Sequence, residues 1–271
     1  MISLAFAGSP ELVYVGPAAY GDAGPRWTGK ADSAHTRFSE FEPGVTLYVA
    51  TANANLRGGP SLSDAVLDTL PLGAEVAIRG VVSEASVVGE RVDRWYEVEV
   101  GDRTGYLFGS TLTPLAARLD LDGEAGDEVI TVSWAWNFEL VVRTGPADGR
   151  SEAEQRWSFG GDRKGGVARL KTLPDRGVAL VDVDLGSESA QTTTWFHAVV
   201  VEDGKPVERA STYAHTYEGG TVGILAFDDA GTVCSGFASR ELADACVDLR
   251  TGTARPPPPT RSLETWTRHG R

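Results

Sequence analysis

Cys234, in the run Val233-Cys234-Ser235-Gly236-Phe237, has the residue type for covalent chemistry. A thiol becomes a nucleophile as its thiolate, with a histidine base close by in the fold. Four histidines are present; His197 and His215 precede Cys234, and His269 follows it near the C-terminus. None shows metal-ligand spacing, and His197 reads as a packed residue in mid-strand. Cys246, the other of the chain's 2 cysteines, offers Cys234 a different fate, a disulfide or a pair of buried thiols. A second chemical candidate is Asp120-Leu121-Asp122-Gly123-Glu124-Ala125-Gly126-Asp127-Glu128. Calcium takes about six to eight oxygens, so Asp120, Asp122, Glu124 and Glu128 on a tight loop form a candidate ligand set. The other reading is a solvated acidic turn ahead of a strand. Nucleophile-elbow, phosphate-loop and dinucleotide patterns are missing. The glycine-rich Phe159–Leu170 run reads as a loop, and no catalytic constellation emerges.

The elements that position these residues are short β-runs. Val, Thr, Trp, Phe and Tyr dominate them, and Asp-Gly and Gly-Gly pairs separate them. Between Thr46 and Leu115, Gly58-Gly59-Pro60 and Pro71-Leu72-Gly73 force turns, because Gly admits positive φ and Pro fixes φ. "EVAIR" and "RWYEVEV" alternate as half-buried strands do. In the second, Trp95 shares a face with Glu97 and Glu99, opposite Tyr96, Val98 and Val100. An aromatic on a polar face is a candidate ligand platform, unless a neighbouring loop covers it. About five strands in such a span predict a small closed or half-closed barrel. Residues 116–254 predict a second β-rich domain, a sandwich or an open twisted sheet, with one helical candidate from Ser239. "RLDLD" at 118–122 recurs as "LVDVD" at 180–184, too few copies for a propeller.

The ends read differently. Residues 1–45 are expected as an irregular lead-in with one short strand at Val13-Tyr14-Val15. The Ala5-Phe6-Ala7-Gly8 sequence is either the remnant of a secretory signal or an ordinary apolar strand. Residues 255–271, with Pro256–Pro259, are expected to be a disordered, extended tail. Lys and Arg total 25 against 38 Asp and Glu, a formal charge of −13. That balance excludes a phosphate-backbone binder and argues against adhesion to an anionic bilayer. No apolar run is long enough to span a membrane.

In chain order, "NLRGGPS", "PLGAEVAI", "WYEVEV" and "GDRTGYLFGSTLT" resemble the bacterial SH3 domain family. Asn55, Leu56, Arg57, Gly59, Pro60, Ser61, Gly73, Val76, Trp95, Val98, Gly105, Tyr106 and Leu112 fall in register with its pattern. The resemblance implies an all-β protein: an SH3-like barrel over 46–115, then the second β-rich domain. It implies a non-catalytic, exported or envelope-associated module that binds cell-wall peptide or a protein partner. Trp95, Tyr106 and Arg57 would carry the contacts. The chain departs from the family between Arg79 and Trp95, expected as a long loop. Two weaker resemblances supply alternatives. "VCSGF" is similar to the nucleophile motif of NlpC/P60 cell-wall peptidases, with Val233 where the family has Asp, implying a cysteine-dependent hydrolase. Residues 120–129 resemble the calcium loop of FG-GAP and VCBS-type repeats, implying a calcium-stabilised structural protein; Glu124 stands for Asp there and Ala125 for Gly.

Overall fold

The structure, a computed structural model, describes residues 11–15, 26–32, 36–38, 41–89, 91–135, 139–159, 163–187, 192–215, 223–227, 231–237, 245–256 and 267–268. The fold is all-β. Three strands lie ahead of Thr46: β1 (Glu11–Val15), β2 (Arg26–Asp32) and β3 (Thr36–Phe38). The stretch expected as an irregular lead-in therefore supplies sheet strands, while the Ala5–Gly8 reading lies outside the described residues.

A seven-stranded sheet follows: β4 (Thr46–Val49), β5 (Ala54–Arg57), β6 (Val66–Leu70), β7 (Glu75–Val88), β8 (Arg91–Val100), β9 (Arg103–Phe108) and β10 (Leu112–Thr113). Its order is β10-β4-β7-β8-β9-β5-β6, and it curls around one core. Leu47, Val49, Leu56, Leu70, Val76, Ile78, Tyr96, Val98, Leu107 and Leu112 fill that core. Among the described residues no strand of another sheet pairs into the barrel, and Phe41 packs against its core from outside. The segment expected as a loop between Arg79 and Trp95 is instead a hairpin arm, β7 continuing to Val88 and pairing with β8. Val81, Val82, Val87, Val88 and Val92 favour strand, and Gly89 turns with φ 60°.

Beyond the barrel the chain builds three layers. β11 (Leu115–Leu119), β12 (Glu128–Trp134), β13 (Glu139–Pro146) and β14 (Ala153–Ser158) form a four-stranded antiparallel sheet. β15 (Arg163–Leu173), β16 (Val178–Ser187), β17 (Thr192–Glu202) and β18 (Lys205–His215) form the next, with β2 and β3 added beside β15. β15 thus takes up most of the glycine-rich run read as a loop; β2 pairs along its Gly165-Gly166 segment. β19 (Gly223–Phe227), β20 (Thr232–Phe237), β21 (Ala245–Asp248) and β22 (Ala254–Arg255) complete the third sheet with β1 and β23 (Thr267–Arg268).

The middle sheet is buried on both faces, which is why its strands read as near-continuous apolar runs. Ala179, Val181, Val183, Val199 and Val201 pack against Ile130, Val132, Leu140 and Val142 of the first layer. Val178, Leu180, Phe196, Ala198 and Val200 pack against Leu225, Phe227, Val233 and Leu249 of the third. The arrangement is a three-layer stack rather than an open sheet. The "LVDVD" echo lies on its central strand, where Asp182 is buried beside Arg169 at 3.6 Å. Most of the helical candidate, residues 239–244, lies outside the described residues, but Cys246 at its end is on β21. The tail contains a paired segment, since β23 runs parallel to β1; residues 257–266 lie outside the described residues.

Candidate functional site

The two turns noted in the sequence have separate structural uses. Gly58 N donates to Ala65 O at 2.9 Å, and Asp64 N to Ser61 O at 3.2 Å, closing the loop between β5 and β6. A Cβ at Gly59 would lie 2.5 Å from Asp64 Oδ2, so any side chain there would displace the Asp64 carboxylate. Arg57 Nη1 spans the same loop, donating to Leu62 O and Asp64 O, each at 2.9 Å. Pro71-Leu72-Gly73 instead faces the next sheet. Leu72 N donates to Gly149 O at 2.8 Å, and Gly73, at φ 69°, packs its backbone on Val129.

The register of the barrel wall aligns a row of side chains. Glu97 of β8 stands opposite Tyr106 of β9, Tyr106 opposite Arg57 of β5, and Arg57 opposite Val66 of β6. Directly opposed residues share a face of the sheet, so Glu97, Tyr106 and Arg57 form a strip across three strands, and exposed Val66 borders it across a register shift at Leu56/Arg57. Tyr106 and Arg57 are half-buried. Leu62, Val66 and Leu67 are 55%, 49% and 53% exposed, which makes the β6 end of the strip apolar and open. A phenol between a carboxylate and a guanidinium, bordered by aliphatic side chains, can take a peptide: amide hydrogen bonds at its centre and an apolar side chain at its end. β6 ends the sheet order, so its outer edge offers backbone groups to an added strand.

Trp95 does not belong to the open strip. It is 2% exposed, and its ring lies 5.3 Å from that of Phe108, tilted by 56°. Its strand is covered on both faces at this point, with Tyr96 wholly buried on the other side. Alternation assigned Trp95 correctly to the face of Glu97, yet this part of the face is not solvent. Gly105, beside Tyr106, holds β9 against β5: a Cβ there would lie 2.8 Å from Arg57 O and from the Leu56 side chain. Gly105→Ala is expected to cost about 1–3 kcal/mol of stability, as forced overpacking does, measured by denaturant unfolding.

Residues 52–113 match the family model of the bacterial SH3 domain. The match covers the SH3-like barrel; no curated protein and no solved structure matches the chain. Among the described residues, no helix is long and apolar enough to cross a membrane.

The other sequence candidates lie away from the SH3 barrel's open strip. Cys234 and Cys246 stand opposite one another on β20 and β21 and are joined as a disulfide. A thiolate at Cys234 is not available while that bond is closed. His197 is committed elsewhere: it is buried, its Nδ1 is 2.7 Å from Glu208 Oε2, and its ring stacks on Trp157 at 4.4 Å. The acidic loop gathers three of its four candidate ligands. Single oxygens of Asp120, Asp122 and Glu128 all fall within 4.8 Å of one another, and Glu124 is not among them. Burial pushes the Glu128 carboxyl above its ordinary range, and the nearby charges of Asp122 and Asp120 add to the effect. The loop is also braced internally. Gly123 N donates to Asp120 Oδ1 at 2.6 Å, Glu124 N to Asp122 Oδ1 at 2.7 Å, and Leu121 N to Glu128 Oε2 at 2.7 Å.

Proposed function

We propose that the SH3 barrel is the peptide-binding module of a non-catalytic protein of the cell envelope, and that it binds cell-wall peptide along the Glu97-Tyr106-Arg57 strip and its Val66 border. The observation that carries this reading is the alignment of those three residues across β8, β9 and β5, bordered by exposed Leu62, Val66 and Leu67. The match to a family of binding modules supports it. So does the disulfide, because such bonds persist in oxidising compartments outside the cytosol. Arg57 both borders the strip and holds the β5–β6 loop, so binding and loop order are linked.

Retention on purified peptidoglycan tests the reading. Tyr106→Ala and Val66→Ser are each expected to weaken retention about tenfold, the effect of removing a central contact from a small interface. Trp95→Ala is unsuitable as the contact variant, since it empties a buried position and tests folding. The reading is wrong if the wild type is not retained, or if both variants are retained as it is while their melting points are unchanged.

A further inference from the structure

We propose that a second site, remote from the SH3 barrel's strip and not dependent on it, binds a small dipolar ligand bearing both an ammonium and a carboxylate, such as an amino acid or a short peptide. The site is a cavity of about 790 Å³ where the acidic loop, the Pro174–Gly177 turn and the Asp248–Thr251 turn meet. That volume is within the range of small-molecule sites. Leu121, Val200, Val201 and Leu249 line it and are buried, which gives an apolar floor.

The charges at its rim decide the ligand class. Asp120 and Asp122 line the cavity, and the Glu128 carboxylate, just behind the rim, lies within 4.8 Å of theirs; no ion pair with a described residue neutralises the three. Asp175, Arg176, Asp248 and Arg250 complete the charged lining, Asp248 being paired with Arg255. Beside the three carboxylates lies Arg250. A Cβ added at Gly123 would come 2.9 Å from Arg250 Nη2 and 3.0 Å from Nη1, so the guanidinium rests against the acidic loop. Yet Arg250 makes no ion pair with a described residue either, and only its backbone is engaged, N donating to Asp248 Oδ1 at 3.1 Å and O accepting from Arg209 Nη2 at 3.1 Å. Opposite charges thus lie side by side on one cavity without an ion pair between them.

A divalent cation fits this arrangement poorly. The carboxylates suit it, but a guanidinium against the same loop opposes a second cation by direct repulsion. A dipolar ligand satisfies both ends: its ammonium faces the three carboxylates and its carboxylate takes the planar guanidinium fork. Gly123, at φ 79°, leaves the space for the Arg250 side chain to lie there.

Backbone amide signals of isotopically labelled protein, titrated with alanyl-alanine, with its N-acetyl and C-amide forms and with calcium alone, provide the test. Alanyl-alanine is expected to shift signals of residues 120–124 and 248–251, and each blocked form to bind about tenfold more weakly. Arg250→Gln, an exposed change, is expected to remove the response while the barrel signals stay in place. Signals of Arg57 and Tyr106 report the barrel separately, so either site can fail alone. The proposal is overturned if these residues do not respond, if all three forms bind alike, if Arg250→Gln leaves binding unaltered, or if calcium binds the loop and binds more tightly in that variant.

Discussion

Arg143→Ala is expected to lower the unfolding free energy by about 1–3 kcal/mol, the cost of removing a buried donor from its hydrogen-bond partners while Glu152 and Glu154 stay solvated. Arg143 rises from β13 with a side chain only 6% exposed, at the junction between the SH3 barrel and the four-stranded sheet. Its Nη1 donates to Ser133 Oγ at 2.9 Å and reaches Ala50 O, at the end of β4, at 3.4 Å. Glu152 and Glu154 approach its Nε and Nη2 at 3.4 and 3.3 Å. Glu152 in turn accepts from Thr51 Oγ1 and Ala52 N of the barrel, at 2.9 and 2.5 Å. Alanine would leave two carboxylates facing each other, and a buried carbonyl with fewer donors. Desolvation pulls the Arg143 pKa down, and the charges of Glu152 and Glu154 oppose that shift. An exposed pair provides the contrast. Arg79→Ala removes the 2.7 Å contact with Glu99 and is expected to cost under about 1 kcal/mol. Denaturant unfolding of both variants checks the ranking; equal losses would contradict it.

Acid provides an independent probe of the same junction. The Glu154 carboxyl is held below its ordinary range, first by its hydrogen bond from Arg156 and then by the charge of Arg143. Its folded value is thus lower than its unfolded one. That contribution to stability is full above the unfolded value and is lost as pH falls through the folded one. With Arg143 gone, the loss in acid becomes smaller.

The barrel was legible because several constraints coincide in a short span. Gly59 lies against the Asp64 carboxylate, Gly105 touches the neighbouring strand, and Gly73 has positive φ while packing on Val129. Each of these residues has one geometric solution, and they occur in a fixed order. The features that were missed lack such local signals. β1 was legible as the short strand at Val13-Tyr14-Val15, but β2 is a strand because distant residues pair with it: Thr28 faces Val167. Nothing in the Gly- and Pro-rich residues around it announces that partner. The 80–94 segment looked like a loop because its alternation is interrupted at Ile78/Gly80 and Val81/Ala85, where the register of β7 slips against β8. Trp95 stayed open between a ligand platform and a covered residue, because alternation reports which face a residue is on and not whether that face is covered. The acidic loop was legible as a cluster of carboxylates. Arg250, which changes its meaning, is far away in sequence and reaches it only through the third layer.

Removing the disulfide with Cys234→Ser and Cys246→Ser together is expected to lower stability by about 3 kcal/mol, the chain-entropy value for a loop of this length. The bond joins residues 12 apart in sequence. It ties β20 to β21, and β21 leads directly into the Asp248–Thr251 turn that borders the cavity. That turn is well braced by itself. Asp248 Oδ1 accepts from Arg250 N at 3.1 Å and Thr251 N at 2.8 Å, while Oδ2 pairs with Arg255 at 2.6 Å. The hydrogen bond from Arg255 is the main cause holding the Asp248 carboxyl far below its ordinary range, and the Thr251 amide adds to it. Loss of the disulfide therefore acts on the connection between strands more than on the turn. The β20–β21 ladder, from Thr232–Asp248 to Ser235–Ala245, is expected to open first. Hydrogen exchange can see this: faster exchange in both strands at unchanged rates in β8 and β9 supports a local clamp. Uniform acceleration across the barrel would instead mean that the layers and the barrel unfold as one unit, with the bond stabilising all of it.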